Sequence, residues 1–270
     1  MITPIINKYM KSKSKFTLNK RQQDIVNTAR RDGFVTVEKL AESFKVTQQT
    51  IRRDLTFLSD NLYLARTHGG AFFQSGVSNV THDSRQSIAQ KEKAAIASRV
   101  STIIPDNSSV VLNIGTTTEQ VAKNLVSTHK GLKIITNNIN IVNIAAHSKN
   151  CEVWVAGGKV RTGDNAVLGS TAANFIKNFK IDYAIVGISA IDEDGTLLDF
   201  DHEELLVTQA IYKQSRKIIL IADANKFDRK APYVTGSLSD IDIFVTDLKP
   251  NKKIIKICKS NNVDLIITPS

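Results

Sequence analysis

The sequence predicts two unlike parts, a small basic head built of helices and a larger α/β body. Three observations lead there. Residues 1–75 hold 13 Lys+Arg against 6 Asp+Glu, a net +7, while the other 195 hold 23 against 20, a net +3. Two helical periods in that first quarter are separated by two residues only. From about residue 91 onward, short apolar runs alternate with helical patterns to the end of the chain. An excess of cations confined to one end is expected where only that end meets a polyanion. Alternating strands and helices predict a largely parallel sheet covered on both faces.

Composition narrows the class. Hydrophobic residues make up 41% and charged residues 23% of 270, which is ordinary for a globular protein. No apolar run reaches the length of a membrane span. The first fifteen residues lack the apolar stretch of a signal peptide, so a cytoplasmic protein is expected. Cys151 and Cys258 stand far apart, which suggests a reducing compartment and neither a disulfide framework nor a metal site.

Residues 1–18 form a basic tail, expected to be flexible, whose lysines could reach phosphates non-specifically. The head follows over residues 19–74. Its first helix runs from a cap at Asn19 to about Arg31, with Ile25, Val26 and Ala29 inward. A short helix over Val37–Phe44 places Leu40, Ala41 and Phe44 at core spacing. Lys45 and Val46 turn the chain, and Thr47 caps a third helix in which Ile51, Leu55 and Leu58 share one face. Gln48, Gln49, Arg52 and Arg53 fall on the other side. Amides and guanidiniums are the groups that bond bidentately to adenine and guanine edges in a major groove. Alone, such a helix reads equally as a solvated basic face, but the preceding helix and tight turn give a helix-turn-helix layout. The stretch LYLARTHGGAFF then predicts a two-stranded wing with glycines at its turn. Candidate DNA contacts are therefore Thr47, Gln48, Gln49, Thr50, Arg52 and Arg53 on the helix, with Arg66, His68 and Gly69 on the wing.

Residues 75–90 are polar and predict a linker; the body occupies 91–270. Its first helix, from about Lys91, is expected to turn Ala95, Ile96, Val100 and Ile103 inward. In such sheets ligands bind beyond the carboxyl ends of the strands. Gly115-Thr116-Thr117-Thr118 follows the first strand and opens a helix, so its amides and hydroxyls suit a phosphate or carboxylate, or else form a plain capped junction. Thr136 and Asn137, Gly157 with Arg161, and Asp223 with Lys226 end later strands. Together they favour an anionic ligand. The acidic run LLDFDHEELL contains Asp199 and Glu204, which either bond ligand hydroxyls or sit at a solvated helix start. HExxH and GxSxG are absent, and the histidines are scattered, so no metal or cofactor is expected.

The segments TVEKLAESFKVTQQTIRRDLTFL, ARTHGGA, NIGTTTEQVA, IITNN, VAGGKVR, GISAID, DGTL and IADANKF together resemble the DeoR family of bacterial regulators from about Lys20 to Val245. The resemblance implies a winged helix-turn-helix on operator DNA and a C-terminal domain similar to the ribose phosphate isomerase/CoA-transferase fold. It implies a repressor, working as a dimer or tetramer, that a phosphorylated sugar or polyol releases from double-stranded DNA, with glycerol-3-phosphate the first effector to consider. The family's effector positions correspond to Gly115, Thr116, Thr117, Thr118, Thr136, Asn137, Gly157, Arg161, Asp199, Glu204, Asp223 and Lys226. One departure is Thr208, where many members carry a basic residue. The alternative is a sugar phosphate isomerase-type enzyme tethered to DNA, for which the acidic run is the best support.

Overall fold

The computed structural model describes residues 18–32, 34–61, 63–67, 69–73, 82–227 and 229–268. The basic tail up to residue 17, Gly33, His68 and the polar stretch 74–81 lie outside the described residues. The chain divides into two compact units, Met1–Gln74 and Ser75–Ser270.

In the first unit, α1 (Lys20–Asp32), α2 (Val37–Phe44) and α3 (Gln48–Asp60) surround one apolar cluster in which Ile25, Ala29, Leu40, Ile51, Leu55 and Leu58 are buried. Thr36 caps α2 by accepting from the Lys39 amide at 3.1 Å. That helix ends at Lys45, a non-glycine residue in the left-handed region at φ 53°, whose amide returns to Ala41 and Glu42. The turn of the helix-turn-helix is thus made without glycine. Three strands complete the unit: β1 (Phe34–Thr36), β2 (Ala65–Thr67) and β3 (Gly70–Phe72), in the order β1-β3-β2. The wing, expected as two-stranded, is three-stranded, because Phe34–Thr36 pairs antiparallel with β3.

Asp54 adds a constraint that hydrophobic spacing did not show. It is buried on α3, accepting from Arg21 Nε at 2.6 Å and Gln22 Nε2 at 3.1 Å, and so ties α3 to the start of α1.

The second unit opens with α4 (His82–Ser87) and α5 (Gln90–Ser101). The second half of the expected linker is therefore a helix, with His82 and Ile88 buried. Its polar composition hid the helix because polar bonds, described below, hold it down. On α5 the buried set is Lys93, Ile96, Ala97, Val100 and Ser101; Ala95 and, just beyond the helix, Ile103 are only half-buried.

Seven parallel strands form the body: β4 (Ser109–Leu112), β5 (Leu132–Thr136), β6 (Cys151–Val155), β7 (Ile181–Gly187), β10 (Ser215–Ile221), β12 (Ile243–Thr246) and β13 (Asp264–Ile267). Their order is β13-β12-β10-β7-β4-β5-β6. Alternation along each strand sends side chains to both faces. Val110, Leu112, Ile134, Ile185 and Ile219 pack with α5, α6 (Thr116–Thr128) and α7 (Ile139–Ala145). Val111, Ile135, Ala184, Val186 and Leu220 pack with α8 (Gly169–Ile176), α9 (His202–Gln214) and α10 (Lys252–Ser260). A small antiparallel sheet in the order β11-β9-β8 was not foreseen: β8 (Ala190–Ile191), β9 (Thr196–Asp199) and β11 (Tyr233–Ser237). It carries Asp199 at the end of β9.

Two adjacent glycines of the wing give a test. A Cβ on Gly70 would lie 2.1 Å from the Val35 carbonyl oxygen and 2.6 Å from the Phe34 ring, whereas one on Gly69 meets nothing within 4 Å but must adopt φ +84°. Gly70→Ala should cost the head at least about 3 kcal/mol, the upper range for overpacking against backbone. Gly69→Ala should cost roughly 1–2 kcal/mol of left-handed strain. Scanning calorimetry of the two variants in the full chain checks the order; equal shifts of the head's transition would refute it.

Candidate functional sites

In the first unit, α3 presents a polar, basic face. Thr47 caps it, its hydroxyl accepting from the Thr50 amide at 3.3 Å and lying 3.0 Å from the Thr50 hydroxyl. Gln48, Gln49, Arg52 and Arg53 are exposed, opposite the buried Ile51, Leu55 and Leu58. Arg52 Nη2 donates to Gln48 Oε1 at 3.0 Å, so the two side chains are already ordered as a pair one turn apart. Arg66 reaches back across α3, donating to the Arg52 carbonyl at 3.2 Å and to the Thr56 hydroxyl. It braces the helix and does not stand free at the wing's tip. Gly69 makes the exposed turn, and its carbonyl accepts from the Val37 amide at 2.9 Å. His68 falls outside the described residues.

In the second unit the residues singled out lie beyond the carboxyl ends of neighbouring strands, where ligands of parallel sheets bind. Gly115 takes φ +144° ahead of α6, where a Cβ would press on Thr118 Oγ1 at 3.3 Å. Thr118 is fully buried and its hydroxyl is directed at the Asn113 and Gly115 carbonyls, at 2.8 and 2.7 Å. Thr136 donates to the Leu112 carbonyl at 2.8 Å and accepts from the Asn138 amide at 3.1 Å. These two threonines latch the turns. Thr116 remains half-buried and Thr117 buried at the first turn of α6. Asn137 donates to the Val167 carbonyl at 3.0 Å, and its buried Oδ1 has no hydrogen-bond partner among the described residues. Gly157 is exposed, with open space beside its Cα.

Arg161 is spoken for by acids. It is bonded in bidentate fashion to Asp164, and its Nη1 lies 2.7 Å from Asp201 and 2.6 Å from Glu204. Burial works against its charge, but Asp164 and Glu204 outweigh that and raise its pKa. For Glu204, burial first and then the Asp199 charge raise the carboxyl pKa against the pull of Arg161. Asp199 accepts from Ser189 Oγ at 2.7 Å and from the Phe200 amide at 2.8 Å. In the same run Asp201 caps α9 and Glu203 is exposed, so only part of it faces inward. Thr208 is buried on α9.

The other half of the rim is basic. Asp223 caps the short 3-10 turn Ala224–Lys226 and is buried. Lys226 has its pKa lowered to about 7, by burial first and then by Arg229, with Asp223 opposing and with Arg85 and Lys93 adding to the repulsion. Lys93, 6% exposed, is lowered to about 8 by burial. Arg229, whose guanidinium lies 5.3 Å from the centre of the Phe200 ring, is lowered to about 10 by burial and then by Arg85. The charge of Arg85 thus lowers the proton affinity of Lys93, Lys226 and Arg229 alike.

Sequence reasoning missed Arg85, Lys93 and Arg229, and also the pair His82–Glu119. His82 Nε2 lies 2.9 Å from Glu119 Oε1, which raises the imidazole pKa, and that carboxylate also accepts from Asn138 and Asn140 at 3.1 and 2.9 Å. No local signal marked the missed cations, because a cation at an inward helical position reads as solvent-facing. Among the described residues no cluster of His, Cys, Asp and Glu could hold a metal ion, and no helix is long and apolar enough to cross a membrane.

Two family models match: the DeoR-like helix-turn-helix domain over residues 21–76 and the DeoR C terminal sensor domain over 88–248. The chain is 37% identical over 245 residues to the glycerol-3-phosphate regulon repressor of Escherichia coli K12, covering 91% of this chain and 97% of that one. It is 33% identical over 256 residues to the transcriptional repressor CsqR of the same organism, covering 95% and 98%. The repressor GlcR of Bacillus subtilis is 27% identical over 235 residues, covering 87% and 90%. Among solved structures, ribose 5-phosphate isomerase from Plasmodium falciparum superposes at a TM-score of 0.38 with 18% identity, covering 53% of this chain and 54% of that one. The eIF2B beta subunit from Chaetomium thermophilum does so at 0.45 with 13% identity, covering 87% and 68%. The three full-length relatives are repressors, which sets aside the expectation of a tethered isomerase. By both its domains, and at 37% identity over nine-tenths of its length, the chain belongs to the DeoR family of transcriptional regulators.

Proposed function

We propose that this chain is a cytoplasmic transcriptional repressor that grips operator DNA through α3 and lets go when a small phosphorylated polyol, glycerol-3-phosphate first, occupies the rim of its C-terminal sheet. The observation that carries the effector reading is the group of a buried Lys93 with the half-buried Arg85, Lys226 and Arg229, in which the charge of Arg85 repels the other three. A dianionic phosphate relieves that repulsion and is more strongly bound there than in bulk water, because the surroundings screen it less. The carboxylates Asp199 and Glu204, on the other side of the rim, are acceptors for hydroxyl groups. Coupling requires the effector to favour one arrangement of the protein by about 1–3 kcal/mol. The relatives named for glycerol-3-phosphate support that effector as the first choice. A single head reads a short site, so the repressor works as a dimer or tetramer on paired half-sites. On the head, Thr47, Gln48, Gln49, Thr50, Arg52 and Arg53 contact DNA, with the wing turn at Gly69 near the backbone.

A thermal-shift panel of phosphorylated sugars and polyols tests the effector reading. Glycerol-3-phosphate should raise the melting temperature with the concentration dependence of mass action. Lys226→Met should weaken its binding by at least about tenfold, the loss of one charge-assisted bond. If no phosphorylated compound shifts the transition, the reading fails.

Binding should also depend on pH in one direction. Lys226 at about 7 and Lys93 at about 8 lose their protons as the free site is titrated upward, whereas a bound dianion holds both charged. Complex formation therefore takes up protons, and affinity falls between about pH 7 and 9, by up to about tenfold per pH unit for each proton taken up. Calorimetry in buffers of different ionisation enthalpy measures that uptake; proton release would contradict the assignment.

On the DNA side, Arg52→Ala or Arg53→Ala should cost about 1–3 kcal/mol on an operator selected from a random pool, and less on unrelated duplex, if the side chain reads a base. Anisotropy titrations on both duplexes separate this from a pure phosphate contact, for which the two losses are equal.

A further inference from the structure

The element that enters the second unit is itself part of the cationic rim. α4 is only six residues long, too short to hold its own helical shape, so its order comes from docking. Eight residues separate its first position from Phe73 of the head. Docking is mostly polar: His82 bonds Glu119 at 2.9 Å, and the buried Lys93 ammonium donates to the Arg85 carbonyl. Ile88, one residue beyond the helix, is the nearby buried apolar side chain.

Arg85 keeps a donor unused in this arrangement. Its Nη2 forms only a long ion pair with Asp164 Oδ2, at 3.7 Å, and that carboxylate is already clasped by Arg161. Its buried Nε has no hydrogen-bond partner among the described residues. Meanwhile Lys93, Lys226 and Arg229 all feel its charge as repulsion. A planar fork with an idle buried donor, set among other cations, matches the geometry of a phosphate's oxygens.

Resting on the effector reading above, we propose that Arg85 is a ligand of the effector's phosphate group, and that α4 is thereby held to the body more firmly in the bound state than in the free one. The phosphate satisfies Nε, draws Arg85 and Lys93 toward a common charge and adds a bond to an element otherwise held by few. Because α4 is the point at which the chain enters the sensor, the strength of its docking is the quantity through which occupancy reaches the connection to the head.

The test is hydrogen–deuterium exchange of the full chain with and without glycerol-3-phosphate, beside titration calorimetry of the wild type, Arg85→Gln and Arg85→Lys. Ligand should slow the amides of residues 82–87 in the wild type. Arg85→Gln should weaken binding by about 10- to 100-fold, the loss of one or two charge-assisted bonds, and abolish the slowing at saturating ligand. Arg85→Lys should restore part of the affinity. If ligand slows residues 115–118 and 224–226 but leaves 82–87 unchanged, or if Arg85→Gln binds like the wild type, the inference is overturned while the effector reading stands. If no phosphorylated compound binds the wild type, both fall. Should Arg85→Gln fail to fold, the wild-type exchange pattern alone decides.

Discussion

Crowding of like charge beyond the carboxyl ends of β4 to β10 is the constraint to which the rest of the body answers. Removing even one ammonium from water is costly, and burial lowers the pKa of Lys93 to about 8 and that of Lys226 to about 7. A fold tolerates such a cost where function demands it, and the parallel sheet supplies the rigidity to do so. Its two apolar faces are closed by three helices each, so the strand ends are fixed while loops carry the charged groups. Thr118 and Thr136 show the same division of labour at finer scale. Their hydroxyls are consumed in fastening turns to strands.

The broad outline was legible because periodicity is a strong signal where a core must be closed. Ile51, Leu55 and Leu58 on α3, and the alternating runs of β4, β5 and β7, had to be buried, and spacing declares that directly. What spacing cannot declare is a polar side chain turned inward. Lys93 reads as solvent-facing in any pattern of apolar residues, and Arg85 sits in a stretch whose composition resembles a linker. Both become visible only when distant segments meet. The small antiparallel sheet was hidden for a related reason. Its strands are two to five residues long, and β9 pairs with β11 across more than thirty positions, so no local pattern marks it.

The head follows a parallel logic. A helix offering glutamines and arginines to solvent needs a firm back, and hydrophobic packing supplies most of it. Asp54 adds direction: its bonds to Arg21 and Gln22 fix how α3 is rotated against α1, and the negative charge is spent internally. Arg66 contributes from the opposite side by capping carbonyl and hydroxyl groups of the same helix. Arg66, from sequence a candidate DNA contact on the wing, is exposed and also braces α3.

Arg161 has a consequence of its own. Surrounded by Asp164, Asp201 and Glu204, it offers no free positive charge. Asp164 meets Arg85 at 3.7 Å as well as Arg161, so one carboxylate joins the acidic and the basic side chains of this region. Any change of charge at Asp164 is therefore felt by two guanidiniums on different elements.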